Sequence, residues 1–467
     1  MTVTDPVCQM PIESAAALPV ERDGETFFFC SEFCRRQFER RGAAYGRPGT
    51  AAVPLAWSSV RVAYFSMEVA FRSNAPTYAG GLGVLAGDHL QACADLGVAV
   101  VGVSLVHHMG YVKQRLRDGA QEDERSPWSP EASLQRLPVE TTVQVEGQDV
   151  HVGGWQTSFV GSGEHVVPLV LLDTDHPEND AWSRTLTDHL YGGDRRYRLA
   201  QEIVLALGGV RLLQALGCSG LTTFHLNEGH AALVPVELLR QRVASGGEWD
   251  FADVRRRCVF TTDTPVAAGH DRFDRALLHD LLPGFIDDSV LEMLAGSGDL
   301  NMTALALNLS HYVNGVALRH REVSSSMFPE YEIHQITNGV HSQRWTSRPI
   351  QALFDRRIPG WRSDPWMLRN ATALPDAELK AAHVAAKGAL LKETEIRAGA
   401  RLDPNILTIG FARRATAYKR PTLIFRDIER LRAIARTRPF QLVFAGIAHP
   451  DDGGGKEVIR EVLAFAE

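Results

Sequence analysis

The segment NILTIGFARRATAYKRPTLIFRDIERLRAIARTRPFQLVFAGIA, residues 405–448, orders a β-rich apolar run, a basic loop, a helical pattern and a second β-rich run. Short apolar runs on either side of an amphipathic helix predict a strand, a crossover helix and a parallel strand. The basic loop then sits at the carboxyl end of the first strand. Open α/β sheets bind ligands there, and the following helix begins there with its positive pole. Arg413, Arg414, Tyr418, Lys419 and Arg420 suit a phosphate-bearing ligand. A solvated basic loop has the same composition, and spacing alone leaves both readings open.

Composition bounds the setting of this segment. With 467 residues, 45% hydrophobic and 22% charged, the chain suits a globular protein of several domains. A net charge of -7 argues against a general nucleic-acid binder, whose footprint is basic. No apolar run approaches the roughly 20 residues of a membrane span, and Met1-Thr2-Val3-Thr4-Asp5 lacks a signal-like basic and apolar region. The expectation is a cytoplasmic protein with neither nucleic-acid nor membrane partners. The six cysteines do not form a disulfide framework: Cys8, Cys30 and Cys34 cluster near the start, while Cys93, Cys218 and Cys258 lie singly in apolar segments that suit core packing.

Residues 1–45 read as a separate module, followed by a Gly- and Pro-containing linker over 46–59. In the module, Cys8 on a turn and Cys30 and Cys34 at the start of a helix can converge on one soft metal ion; buried thiols are the alternative. A fourth ligand would have to be a carboxylate, a water or another partner. Next, Val60 to Ser66 reads as a strand, Gly80-Gly81-Leu82-Gly83 as a turn into a helix through Leu96, and Val98 to Val106 as a strand. Glycines at such a turn let amides approach an anion, although a tight structural turn uses them equally well. Val139 to Asp173 reads as antiparallel strands, and Trp182 to Leu216 as mostly helical. Asn227-Glu228-Gly229-His230 follows the buried strand Leu221–Leu226. An amide, a carboxylate and an imidazole there can bind sugar hydroxyls; alternatively Asn227 caps a helix and His230 lies on its surface. Arg257 to Thr262 is a further strand, ending at Asp263-Thr264-Pro265. Leu307 to Arg321 reads as a helix interrupted by Asn314-Gly315, Gln335 to His341 as a strand-to-turn step, and Pro375 to Ala400 as an amphipathic helix.

The cysteine-bearing module resembles the YHS domain, a short treble-clef-like unit associated with metal binding, with Phe28 near where that family usually has tyrosine. From about Val60 to Glu467 the chain resembles the α-glucan phosphorylases. The resemblance rests on Tyr78-Ala79-Gly80-Gly81-Leu82-Gly83, His225-Leu226-Asn227-Glu228-Gly229-His230, Asn314-Gly315-Val316, Thr337-Asn338-Gly339-Val340, and Arg413-Arg414 with Tyr418-Lys419-Arg420. It implies an α/β fold with the two-domain glycosyltransferase architecture, the first domain over 60–400 and the second, doubly wound domain starting at 401–467 and incomplete. It also implies phosphorolysis of α-glucan or maltodextrin by inorganic phosphate to glucose 1-phosphate, with pyridoxal phosphate as cofactor, and leaves a homo-oligomer open. By the same resemblance Arg414 and Lys419 bind the substrate and cofactor phosphates. Gly80, Gly81, Asn227, Glu228, His230, Asp263, Asn314 and Asn338 line the glucosyl site.

Three departures qualify that expectation. The family's usual histidine in the Thr-Thr-His-Thr-Pro motif is Asp263 here, which adds negative charge near phosphates. Ile447 stands where the family tends to have lysine. The family's cofactor-bearing lysine lies in a segment beyond Glu467, so the resemblance implies a truncated chain, inactive by itself. A sugar-nucleotide-dependent glucan synthase fits the Gly80-Gly81 turn and the Arg414/Lys419 pair less well. A non-catalytic glucan-binding or metal-responsive protein is the alternative of a different class.

Overall fold

The computed structural model describes residues 2–6, 11–14, 17–22, 25–30, 32–41, 56–72, 74–264, 270–450 and 452–466. The chain packs as two compact units, one of Met1–Tyr111 with Pro127–His341 and the other of Val112–Ser126 with Ser342–Glu467.

The first unit is built on a ten-stranded mixed sheet. Its strands are β1 (Val62–Phe65), β2 (Val100–Leu105), β3 (Gln135–Arg136), β4 (Thr141–Val145), β5 (Gln148–Val160), β6 (Val166–Asp173), β7 (Thr223–Asn227), β8 (Cys258–Thr262), β9 (Tyr312–Gly315) and β10 (His334–Gln335). The spatial order is β4-β5-β6-β2-β1-β7-β8-β9-β10, with β3 against β5. From β6 to β10 every pairing is parallel, and β3, β4 and β5 form the antiparallel flank. The difference follows composition: β2 is buried along its whole length and reads as an apolar run, as a strand covered on both faces must.

Helices connect the parallel strands. Helix α1 (Gly81–Leu96) joins β1 to β2. After β6, α2 (Arg195–Ile203) passes through a π-turn at Val204–Gly208 into α3 (Gly209–Ala215), and α4 (Leu233–Ala244) leads from β7 toward β8. At Gly209 a Cβ would stand 2.6 Å from Phe65 Cε1, so the helix lies against β1 at a distance only glycine permits. Phe65, Val103, Leu172, Leu226 and Phe260 belong to one continuous buried core.

One expectation fails here. Leu307 to Arg321 is not an interrupted helix: α5 (Met302–Asn308) ends, β9 follows, and a second helix runs over Leu318–Met327. Pairing with β8 draws Tyr312-Val313-Asn314-Gly315 into the sheet, and this tertiary pairing overrides the helical pattern of the flanks.

In the second unit, helix α6 (Asp376–Ala398) sends Lys387 to the Ile406 carbonyl, directly before β11 (Leu407–Ala412). The residues from Ser342 onward pack together with Val112–Ser126. Helix α7 (Ile428–Thr437) crosses from β11 to β12 (Phe440–Ala445), and these strands pair in parallel from Leu407↔Phe440 to Ala412↔Ala445. Helix α8 (Gly453–Ala464) follows. The hairpin of Lys113–Arg117 and Ala120–Glu124 also belongs to this unit: Gln121 exchanges two hydrogen bonds with the Ala448 backbone, at 2.9 and 3.0 Å, and Lys456 pairs with Asp123 at 2.6 Å.

Candidate functional site

The carboxyl ends of β1, β7, β8 and β9 gather most of the expected sugar-binding residues. Glu228, the residue after β7, has φ +71°, unusual for a side chain with a Cβ, and is 4% exposed. Its backbone amide donates to Thr261 of β8 at 2.9 Å, which turns the carboxylate back over the strand ends. There Oε1 accepts from the Asp263 and Thr264 amides at 2.5 and 2.8 Å, and Oε2 accepts from the Gly229 amide at 3.2 Å. Burial, aided by the Asp263 charge, pushes the Glu228 carboxyl up to about 7 against the pull of these amides. Asp263 itself is raised to about 6, by burial and by Glu68, and accepts from Asn338 Nδ2 at 3.2 Å.

Asn227 and His230 do not take the capping and surface roles left open by the sequence. Asn227 is fully buried, donates to Ser66 Oγ at 3.1 Å, and its Oδ1 has no partner among the described residues. His230 is buried, its ring lies 6.3 Å from that of Tyr191, and its Nε2 has no partner among the described residues. Asn314 accepts from Thr261 Oγ1 at 3.0 Å, and the same hydroxyl meets His225 Nε2 at 2.8 Å.

At the turn into α1 the amide of Gly80 is occupied by Glu68, which also accepts from Ala79; the distances are 3.2 and 2.6 Å. An anion at Gly80 would compete with that carboxylate. A Cβ on Gly81 would meet nothing within 4 Å, whereas one on Gly83 would lie 2.5 Å from Tyr78 Cβ and 2.8 Å from Glu68 Oε2. Gly83 is therefore the glycine that the packing of this turn requires.

Next to these strand ends lies a largely buried network that sequence reasoning missed. Tyr191, at φ +56°, donates to Glu68 Oε1 at 2.9 Å. Arg198 on α2 meets Asp271 at 2.8 Å and Glu202 at 3.2 Å, with His230 Nδ1 3.8 Å from Asp271. Burial pushes Asp271 up, but His230 and the Arg198 guanidinium more than reverse this and hold its carboxyl well below the usual range. Glu202, fully buried, is pushed well above the ordinary glutamate value by burial and by Asp271. The residues are scattered along the chain and no local spacing connects them. The only sequence signal was an Arg and a Glu four apart on a helix, which is common.

In the second unit, Arg414 is exposed and Lys419 half-buried in the loop after β11, with Lys419 Nζ 4.6 Å from the centre of the Tyr418 ring. A Cβ on Gly446 would run into the Arg413 carbonyl, so the loop hugs the end of β12. In the N-terminal module, Leu18–Arg22 pairs with Glu25–Phe29, and Phe29, Cys34 and Phe38 form a small core with the helix Glu32–Arg41. Cys30 Sγ and Cys34 Sγ are 3.6 Å apart, and the buried Asp5 accepts from the Cys30 amide at 2.7 Å. Asp5, Cys30 and Cys34 together place metal-ligand atoms within 4.8 Å of one another. Asp5 supplies the carboxylate that a cysteine-based reading lacked, and Cys8 lies outside the described residues.

The chain is 36% identical to a glycogen phosphorylase of Mycobacterium tuberculosis and 36% identical to a maltodextrin phosphorylase of Thermococcus litoralis, in both cases over 87% of this chain and 53% of the relative. Over that span it is similar to the glycogen and maltodextrin phosphorylases. A glycogen phosphorylase of Aquifex aeolicus is 35% identical over 87% of this chain and 65% of its own length. The chain thus spans about half the length of the first two phosphorylases it matches. Residues 3–47 match the YHS domain. Within the portion similar to phosphorylases, β7, β8 and β9 bring Asn227, Glu228, Asp263 and Asn314 to neighbouring strand ends, with Asn338 on Asp263. No helix among the described residues is long and apolar enough to cross a membrane.

Proposed function

We propose that the chain binds the non-reducing end of an α-1,4-glucan at the carboxyl ends of β7, β8 and β9 and takes part in its phosphorolysis to glucose 1-phosphate. The observation that carries this reading is the Glu228 carboxyl, held by backbone amides beside the Asp263–Asn338 pair. A carboxyl, carboxamides and an imidazole, with Asn227 Oδ1 and His230 Nε2 unpartnered among the described residues, are the donors and acceptors that a sugar's hydroxyls require. Asn227, Glu228, His230, Asp263, Asn314 and Asn338 contact the glucosyl unit in this reading, and the Gly80-Gly81 turn borders it.

The reaction builds positive charge on the sugar beside phosphate, so fixed cations lower its barrier. Arg414 and Lys419 suit that role, because they offer one guanidinium and one ammonium without a carboxylate partner among the described residues. The same donor set fits the phosphate of pyridoxal phosphate, which, when bound, supplies a phosphate able to exchange a proton with the attacking phosphate. Arg414 and Lys419 would hold phosphate oxygens in the second unit, and Asn338 and Glu228 would orient the sugar in the first. Asp263 departs from this scheme, since its charge works against a neighbouring dianion unless it is protonated. In the N-terminal module, Asp5, Cys30 and Cys34 fit a soft divalent metal.

Calorimetric titration of maltoheptaose, combined with an assay for glucose 1-phosphate from maltodextrin, phosphate and pyridoxal phosphate, tests the reading. Asn338→Ala is expected to weaken glucan binding by about 10-fold, the cost of a hydrogen bond to a bound polar group. A chain that neither binds the glucan nor releases glucose 1-phosphate refutes the proposal. Binding without release instead favours a glucan-binding role, which the carboxylate at Asp263 would suit.

A further inference from the structure

On the antiparallel flank of the large sheet, Glu140, His151 and His176 bring their ligand atoms within 4.8 Å of one another. His176 Nε2 lies 3.3 Å from Glu140 Oε2, and His151 Nε2 lies 3.2 Å from Glu178 Oε2. The two imidazoles stack with centroids 4.9 Å apart and planes 14° from parallel. We propose that these residues form a site for a zinc-class divalent ion, with Glu140, His151 and His176 as ligands and Glu178 or water completing the shell.

The fold supports this ligand set in two ways. His151 stands opposite Thr142 in the β4–β5 register, so Glu140, two residues before Thr142, projects from the same face. Asn179, 8% exposed, ties the histidine-bearing segments together. Its Oδ1 accepts from the His151 amide at 2.7 Å, its Nδ2 donates to the His151 and Thr174 carbonyls at 2.8 Å each, and its amide donates to the His176 carbonyl at 3.0 Å. The backbones of both histidines are thereby fixed, while the exposed glutamates keep the freedom to close on an ion. Bonds of about 2.0–2.2 Å put tetrahedral ligand atoms about 3.4 Å apart, close to the two imidazole–carboxylate separations already present. Imidazole with carboxylate suits zinc and its neighbours rather than calcium or magnesium. The Glu178 amide now approaches His176 Nδ1 at 3.3 Å; ligation through Nε2 gives up that contact and displaces the Nε2 proton. These ligands are distinct from the thiols of the N-terminal module and from the residues at the ends of β7, β8 and β9.

The test uses the full chain with Cys8, Cys30 and Cys34 changed to Ser, which silences the thiol module. Zinc binding is measured by equilibrium dialysis, and ligation by the cobalt(II) absorption spectrum. The expected result is one saturable ion per chain, a raised melting temperature, and a spectrum without thiolate charge-transfer bands. His151→Gln combined with His176→Gln should abolish binding. Glu140→Gln, at an exposed position that keeps both rings, should weaken it, and Asn179→Ala should cost about 10–100-fold by loosening the ligands' support. No saturable zinc in the serine-substituted chain, or undiminished binding in either the double histidine variant or Glu140→Gln, overturns the proposal.

Discussion

Glu228→Gln tests the electrostatics of the candidate sugar site most directly. Two forces oppose each other at this carboxyl. Burial and the neighbouring Asp263 favour the neutral acid, while three backbone amides favour the anion. The structure gives the first pair the upper hand, with the group raised from 4.5 to about 7. Below about pH 4.5 the folded and unfolded chains both carry the proton, and the group costs nothing. Between there and about pH 7 the unfolded chain ionises first, so stability falls as pH rises; above about pH 7 the penalty is constant. At about 1.4 kcal/mol per unit, the shift corresponds to a loss of about 3 kcal/mol across that window. Glutamine cannot ionise, yet its carbonyl can still accept from the Asp263 and Thr264 amides. Relative to the parent, Glu228→Gln should therefore gain about 3 kcal/mol between about pH 4.5 and pH 8. Urea unfolding of both chains at matched pH reads the difference. Infrared difference spectra report the protonated carboxyl directly, as a carbonyl band present in the parent near neutral pH and missing in the variant. If the two stability curves run parallel and no such band exists at pH 6, the amides have won, Glu228 is an anion throughout, and the reasoning fails.

Three further outcomes follow from the same geometry. Gly83→Ala should lower stability by about 1–3 kcal/mol, because its Cβ would enter Tyr78 and Glu68, whereas Gly81→Ala should stay within about 0.5 kcal/mol; thermal melts of both variants check this, and equal effects would contradict the packing described. Arg198→Met strands the buried Glu202 and the half-buried Asp271 and should cost about 2–4 kcal/mol in denaturant unfolding, a loss that adding Asp271→Asn partly recovers. Asp263→Asn removes a charge facing Glu228 and Glu68 but keeps an acceptor for Asn338; the infrared midpoint of Glu228 should fall to lower pH, and an unmoved midpoint would show that Asp263 does not contribute to it.

How much of this was legible in the sequence depended on whether the signal was local. The strand–helix–strand reading of 405–448 holds because β11 and β12 carry β-rich apolar runs and α7 an amphipathic one. The buried strands β1, β2, β7 and β8 were visible for the same reason. Strand β9 was not, since four residues between two helical patterns become a strand only when β8 lies beside them. Glu228 and Asn314 could be named from their motifs, but not the positive φ that swings Glu228 over the β8 end. Tyr191, Arg198, Glu202 and Asp271 carried no motif at all, and Asp5 meets the backbone amide of Cys30, 25 residues away. Motifs mark side chains that meet a ligand. The groups that set the charge of those side chains are chosen by tertiary packing, and Glu228 illustrates the consequence: its position was readable from the strand before it, but its protonation state depends on amides of the neighbouring strand's exit and on the burial of the whole pocket.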